Sequence, residues 1–345
     1  MTNWREDVET EFGKDIFQGK YEGEVIPTGS FVLDYLTEIG GFPLGRICEI
    51  FGSEGSGKTT LALSIIREAR KQKRAVLFED FEHTLSDPYL IRVGLNPKEL
   101  DDYRVMPKSM EEGWTLVRRF CERPEHRGGL VVVDSLASMP VEKELKEADE
   151  QVGNTRIGLI AQVMSNSLRQ MEGLLAKSNV CLLFLNQERA SISLKFGGSK
   201  TTPGGKALRF YAGVRVQLSL MGSIMEKHLN PLVGQKQDEV VALQVGINVV
   251  KNKFGRSYRR GTIMLRLNEG IDNIWSAVKI GEYLGIVKKR GAYYVLSEQY
   301  GREDDLGDVK KLGYANLRKY FKENTAVWYK YSKDIQDALY PETKK

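Results

Sequence analysis

Residues 52 to 60 read GSEGSGKTT, and Gly52, Gly57, Lys58 and Thr59 occupy every fixed position of the pattern G-x-x-x-x-G-K-[ST]. That spacing suits the binding of a nucleoside triphosphate. The glycines let the backbone curl, so that successive N–H groups of Gly52, Ser53, Glu54, Gly55, Ser56 and Gly57 can face phosphate oxygens at a helix N-terminus. Lys58 then reaches the terminal phosphates, the Thr59 hydroxyl binds magnesium, and Thr60 carries the site into the helix. With glycine at ~7% of residues, the four fixed positions arise by chance in about one chain of this length in a hundred.

Three more apolar runs deliver polar residues suited to the same chemistry. LVVVDS ends in Asp134, a carboxylate placed to hold magnesium through water. VLFEDFEH runs into Glu79, Asp80 and Glu82, any one of which could orient and deprotonate an attacking water; spacing does not choose among them. CLLFLNQ delivers Asn186 and Gln187, amides that could sense a terminal phosphate. The stretch after Gln187, ERASISLKFGGSKTTPGGK, is long for a loop in a compact domain. Arg189, Lys195, Lys200 and Lys206 against Glu188 give residues 188 to 206 a net charge of +3, with Phe196 among the glycines. Cations and mobile N–H groups for phosphate, with an aromatic able to stack, are what single-stranded nucleic acid requires. A second polar stretch, KEADEQVGNTRIG, follows the Asp134 strand and suits phosphate only at its far end.

The elements that must hold these residues follow from the hydrophobic pattern. ICEIFG, AVLFED, GGLVVVDS and VCLLFLNQ are continuous apolar runs separated by amphipathic stretches such as TTLALSIIREARKQ and RIGLIAQVMSNSLRQMEGLLAKS. Such alternation predicts a mostly parallel sheet covered by helices on both faces. After residue 205, VRVQLSL, VVALQVGINVVKNK and TIMLRLN read as antiparallel strands finishing that sheet. The composition shifts near Glu269-Gly270, and residues 273 to 345 carry helical patterns around a hairpin, KKRGAYYVL. At the other end, Trp4, Val8 and Phe12 recur at helical spacing, predicting a short helix that docks on the core or on a neighbouring copy. With 41% apolar residues, 345 residues suffice for a core and a smaller appendage, and a net charge of +5 permits a polyanionic partner. Three widely spaced cysteines, with no C-x-x-C pair, predict reduced thiols and no zinc site. No apolar run has the length of a signal peptide core or a bilayer span, so a cytoplasmic protein without membrane attachment is expected.

The segments PTGSFVLDYL, GRICEIFGSEGSGKTTLAL, EDFEHTL, VVVDSLASMP, LFLNQ, FGGSKTTPGGKALRFYAGVR and VVKNK resemble, in order and spacing, the bacterial and phage RecA recombinases. The likeness covers nearly the whole chain. It implies an α/β fold: a RecA-type P-loop ATPase core with a mostly parallel central sheet flanked by helices, a short N-terminal helical arm and a small C-terminal α/β domain. The implied limits are 1–22 for the arm, 23–272 for the core and 273–345 for the C-terminal domain, which would contact duplex DNA. The implied activity is DNA-stimulated ATP hydrolysis, with ATP and magnesium as cofactors, coupled to pairing and strand exchange. Its partners would be single-stranded DNA, homologous duplex DNA and further copies of itself in a helical filament. A ring helicase or translocase, or a DNA-binding mediator without exchange activity, are the alternatives on the same core.

Residue by residue, the resemblance makes Glu82 the catalytic carboxylate, Gln187 the amide coupling the γ-phosphate to the loop behind it, and Tyr89 the adenine-stacking aromatic. Lys251 and Lys253 would reach the γ-phosphate from an adjacent protomer, with Phe210 packing at that interface. Two DNA-binding loops are implied, at about 144–157 and 188–205. Ile157, Gly158, Ser165 and Arg169 would lie near the first, and Arg189, Ile192, Phe196, Gly204, Gly205 and Lys206 in or beside the second. The chain departs from the family pattern at Ser86-Asp87, where Asp usually lies beside the adenine, and at Gln162, where an Arg is common. It also ends PETKK instead of in an acidic tail; residues 276 to 345 hold 14 Lys and Arg against 10 Asp and Glu, a net +4. Less self-inhibition of duplex capture, and exchange at lower free magnesium, are expected from that.

Overall fold

The apolar runs around the glycine-rich loop become wholly buried strands, and the sheet they form sets where every polar residue at their ends can go. The computed structural model describes residues 23–83, 85–101, 104–143, 154–190, 200–201, 207–230, 234–300 and 309–339. The N-terminal helix expected from Trp4, Val8 and Phe12 lies outside them. The strands of the central sheet are β1 (Ile47–Gly52), β2 (Val76–Asp80), β3 (Arg104–Val105), β4 (Leu130–Asp134), β5 (Cys181–Gln187), β6 (Val214–Asn230), β7 (Gln235–Asn252), β8 (Arg259–Arg266) and β9 (Gly270–Ile271). Their spatial order is β9-β8-β7-β6-β1-β5-β4-β2-β3.

All pairs from β6 across to β3 are parallel. This corrects the expectation for the strands after residue 205. β6 is not an antiparallel finisher but runs parallel to β1, Val214 beside Cys48 through Leu218 beside Gly52. Antiparallel pairing begins only between β6 and β7 and continues to β9. Nor does β6 stop at Leu220: cross-strand pairing carries it on to Asn230, through two further register shifts, into a long ribbon with β7. Irregularities of that kind keep the pairing while breaking the two-residue alternation on which a sequence reading depends.

Helices α1 (Phe31–Thr37), α2 (Lys58–Lys71), α3 (Met110–Glu122) and α4 (Asn154–Ser178) cover the sheet. α2 is buried on most sides, with Leu61, Ala62, Leu63, Ile65, Ile66 and Ala69 inaccessible, because it lies between one sheet face and the surrounding segments. On the opposite face α3 presents Met110, Trp114, Val117 and Phe120, and α4 presents Met164, Leu168, Met171 and Leu175, both at helical spacing. Ser109 caps α3 by accepting from the Glu112 N–H at 3.2 Å.

Beyond the sheet, α5 (Asn273–Tyr283), β10 (Val287–Arg290), β11 (Tyr293–Leu296), β12 (Val309–Leu312), α6 (Gly313–Glu323) and α7 (Thr325–Leu339) enclose a separate apolar cluster. KKRGAYYVL does form a hairpin, β10 with β11, and β12 adds a third antiparallel strand that the sequence did not announce. At its centre Tyr331 stacks on Phe321, ring centroids 4.9 Å apart, and meets Tyr300 edge to face. No helix among the described residues is long and apolar enough to cross a membrane.

Candidate active site

The carboxyl edge of the parallel strands holds a cleft of about 340 Å³, lined on one side by Glu54, Gly55, Gly57, Lys58 and Thr59. β1 delivers the chain to this edge and α2 leaves it, so the residues between must turn sharply. Gly55 and Gly57 do so at φ of 70° and 86°, in the left-handed region that side chains disfavour. At Gly57 space is closed as well, because a Cβ there would lie 2.1 Å from Leu265 Cδ1. Lys58 folds back over the loop, its ammonium donating to the carbonyls of Gly52 at 3.2 Å and Ser53 at 2.8 Å. Burial lowers its pKa, against the opposing pull of the Asp134, Glu82, Glu54 and Glu188 carboxylates.

The Thr59 hydroxyl donates to Asp134 Oδ2 at 2.8 Å. With its proton directed at Asp134, the hydroxyl oxygen keeps its lone pairs for a hard cation, so this pair suits magnesium. Burial pushes the Asp134 carboxyl up to about 7, with Glu82 and Asp80 adding to the rise and the Thr59 hydrogen bond opposing it. Farther along the cleft, the Tyr89 and Thr60 hydroxyls are hydrogen-bonded and Leu243, Leu265 and Leu267 supply apolar wall, a surface that an aromatic base would fit.

The three carboxylates that spacing left open have separate environments. Asp80 is tied down: Arg104 donates to Oδ2 through Nη2 at 2.6 Å and Nε at 3.2 Å, and the His83 N–H donates to Oδ1 at 2.8 Å. Glu79 points to the opposite sheet face among Phe81, Gly113 and α3, 1% exposed, with Oε1 lacking any hydrogen-bond partner. Glu82 alone of the three lines the cleft. Its Oε1 accepts from Ser135 Oγ at 2.5 Å and from Gln187 Nε2 at 3.3 Å. The two amides part likewise. Asn186 is buried and donates to Glu49, the carboxylate that also pairs with Arg215, so it serves the sheet interior. Gln187 reaches the cleft, and Glu188 beside it accepts from Gln217 of β6 at 2.6 Å.

Lys251 and Lys253 are not brought to this cleft. They lie at the far end of β7, where the Lys253 N–H donates to Gly213, whose own N–H donates to Ile47. Ile47 is five residues back along β1 from Gly52, roughly 16 Å at the rise of a strand. The Lys251 ammonium donates to the carbonyls of Arg209 at 2.6 Å and Phe210 at 3.0 Å, and burial and the neighbouring Lys253 lower its pKa. The Phe210 ring is 72% exposed, so an aromatic and two cations share one outer edge.

Of the residues assigned to DNA, Ile192, Phe196, Gly204, Gly205 and Lys206 lie outside the described residues, as does 144–153. Ile157 and Gly158 lie near the start of α4, while Ser165 and Arg169 are exposed farther along it. The twelve residue steps from Ile157 to Arg169 span about 18 Å of helix. The second loop leaves and returns as a short antiparallel pair, Arg189 opposite Thr201 and Ala190 opposite Lys200. Sequence reasoning passed over Ser135, Arg104 and the wall formed by Leu243, Leu265, Arg266 and Leu267. Ser135 follows Asp134 directly and could have been found; the others meet the site only through the fold.

Residues 5–272 match the family model described as the RecA N-terminal domain. The chain is 34% identical over 338 residues to the protein RecA of Pseudomonas putida, covering 96% of this chain and 88% of that protein. It is 35% identical over 329 residues to the protein RecA of Borrelia duttonii, covering 92% and 83%. To the protein RecA of Thermus aquaticus it is 34% identical over 327 residues, covering 92% and 89%.

Proposed function

The chain belongs to the RecA family of recombinases, DNA-dependent ATPases, and we propose that it binds ATP with magnesium, polymerises on single-stranded DNA and exchanges strands with a homologous duplex. In this reading Gly52 to Thr60 hold the phosphates, Thr59 and Asp134 the cation, and Tyr89 the base. Magnesium, when bound, neutralises charge developing on the phosphates. Glu82 accepts the proton of the attacking water, Ser135 and Gln187 fixing the carboxylate by donating to one of its oxygens. Lys251, Lys253 and Phe210 belong to a contact between copies. The arm at 1–22, the core at 23–272 and a duplex-contacting domain at 273–345 make up the protomer, which works in the cytoplasm. The loops at about 144–157 and 188–205 meet single-stranded DNA.

The observation that carries this reading is the pair of contacts Glu82 to Gln187 and Glu188 to Gln217. Adjacent residues join the hydrolytic carboxylate to the start of the basic loop, so a change at the γ-phosphate is felt where DNA would bind. Incubation with a circular single strand, a homologous linear duplex and ATP should give joint molecules and then exchanged products. Unwinding of the duplex without pairing would overturn the reading in favour of a helicase.

A further inference from the structure

One wall of the nucleotide cleft is the end of β8 and the turn after it, where Arg266 and Leu267 line the cavity. The turn leads into β9, whose Gly270 is packed between Val93 and α2: a Cβ there would lie 3.7 Å from Val93 and 3.9 Å from Thr60. The next residue but one is Asp272, whose side chain is 1% exposed. Its Oδ1 caps α5, accepting from the Trp275 N–H at 3.2 Å. Its Oδ2 takes three donors: Arg266 Nε at 2.9 Å, Arg318 Nε at 2.9 Å and the Tyr314 hydroxyl at 3.0 Å. The first comes from the cleft wall, the other two from α6. Arg318 also donates through Nη2 to Glu269 in the same turn at 2.6 Å, and Lys322 donates to that same Glu269 oxygen at 2.6 Å. α6 thus grips the turn that forms the wall.

Such an arrangement does not yield in parts. Charge-assisted bonds to a buried carboxylate are strong, and removing one guanidinium leaves charge without compensation in a site closed to water. Arg266 therefore cannot follow a ligand in the cleft unless Arg318 moves with it or Asp272 loses a partner. In the same unit, Lys288 and Arg290 of β10 and Lys310 of β12 fall on one face of the small sheet by register and are exposed, a face suited to polyanions.

We propose that Asp272 and Arg318 couple the nucleotide cleft to the C-terminal unit, so that nucleotide in the cleft and duplex nucleic acid on the basic face of β10 and β12 alter each other's affinity. The proposal rests on the nucleotide reading given above. Asp272 and Arg318 act here as positioning residues, through Arg266 and the turn, and linkage requires the effect to be reciprocal.

Hydrogen exchange of the full-length protein, with and without magnesium and a slowly hydrolysed ATP analogue, tests it. Nucleotide should slow exchange in the phosphate loop and, by about fivefold or more, the lower end of coupling between sites, in α6. Arg318→Met should abolish the slowing in α6 while leaving that in the phosphate loop, and Arg318→Lys should retain more of it than Arg318→Met. A short blunt duplex should shift the analogue's affinity in the wild type and not in Arg318→Met. If α6 is indifferent to nucleotide while the phosphate loop is protected, the coupling is wrong and the nucleotide reading stands; if the loop is not protected either, both fall. Equal α6 protection in Arg318→Met also overturns the coupling. Should Arg318→Met unfold the unit, Tyr314→Phe, which removes a single donor, decides by the same criterion: weaker α6 protection supports the coupling and unchanged protection overturns it.

Discussion

Replacing Glu79 by leucine should stabilise the protein, and increasingly so as the pH rises from 4.5 towards 8. Burial raises the Glu79 carboxyl from 4.5 to about 8, with the nearby Glu112 adding to the rise. A carboxyl whose folded-state value is raised contributes its full stability below pH 4.5 and loses it as the pH climbs to about 8, since only the unfolded chain ionises freely in that interval. At about 1.4 kcal/mol per pH unit the loss approaches a ceiling of about 5 kcal/mol. Even half of that would move Tm by about 5–10 °C in a core of this size. Leucine removes the charge and the unpartnered oxygen. Thermal and denaturant melts of the wild type, Glu79→Gln and Glu79→Leu between pH 5 and about pH 8.5 are the assay. Asp34 and Asp134, both raised to about 7 by burial, tilt the wild-type curve in the same direction. The difference between wild type and variant, not the slope alone, is therefore diagnostic: the curves should diverge above pH 5, and parallel curves would refute the buried-carboxyl account. Both variants should keep ATP hydrolysis, because Glu79 does not reach the cleft.

Glu82→Gln should keep nucleotide and DNA bound but cut turnover by about 10²-fold or more, the usual cost of losing a general base; undiminished hydrolysis would remove Glu82 from that role. Gly57→Ala should lose nucleotide affinity by equilibrium titration, since its φ of 86° and the 2.1 Å approach to Leu265 both oppose a methyl group. Adding Leu265→Ala should recover part of that loss, and no recovery would show that backbone conformation alone matters. Lys251→Ala with Lys253→Ala should lower DNA-stimulated hydrolysis by about 10²-fold, the cost of a removed transition-state cation, while leaving analogue binding to dilute protomers unchanged. A matching loss in dilute protomers would place both lysines in their own protomer's site.

The parts of the fold legible in the sequence are those whose signal is local. ICEIFG, LVVVD and CLLFLNQ declare buried parallel strands because both their faces must be apolar, and the glycine-rich loop declares its helix. Resemblance, not spacing, singles out Glu82; of the three carboxylates, Glu79 faces α3, Asp80 is held by Arg104, and Glu82, beyond the strand, lines the cleft. The direction of β6 escaped the reading because a run such as VRVQLSL reads the same whether its neighbour is parallel or not. The hub at Asp272 was illegible for a related reason. Arg266, Tyr314 and Arg318 are common surface residues in any window of sequence, and only the docking of α6 on the turn after β8 makes them partners of one carboxylate.

Lys251 and Lys253 show the same limit from the other side. Resemblance sets them at a γ-phosphate, whereas within the protomer they lie at the level of Ile47, across the sheet from the phosphate loop. Both statements hold only if the phosphate belongs to another copy. A lysine pair fixed at the end of a long strand cannot swing roughly 16 Å to its own cleft, because β7 is held by β6 as far as Asn252 and by β8 from Ala242 to Val249. On the two-copy reading proposed above, the exposed Phe210 beside them would supply apolar surface to seat such a copy. Hydrolysis that needs these cations should therefore rise with protein concentration as protomers meet, and a rate per protomer independent of concentration and of DNA length would contradict the two-copy site.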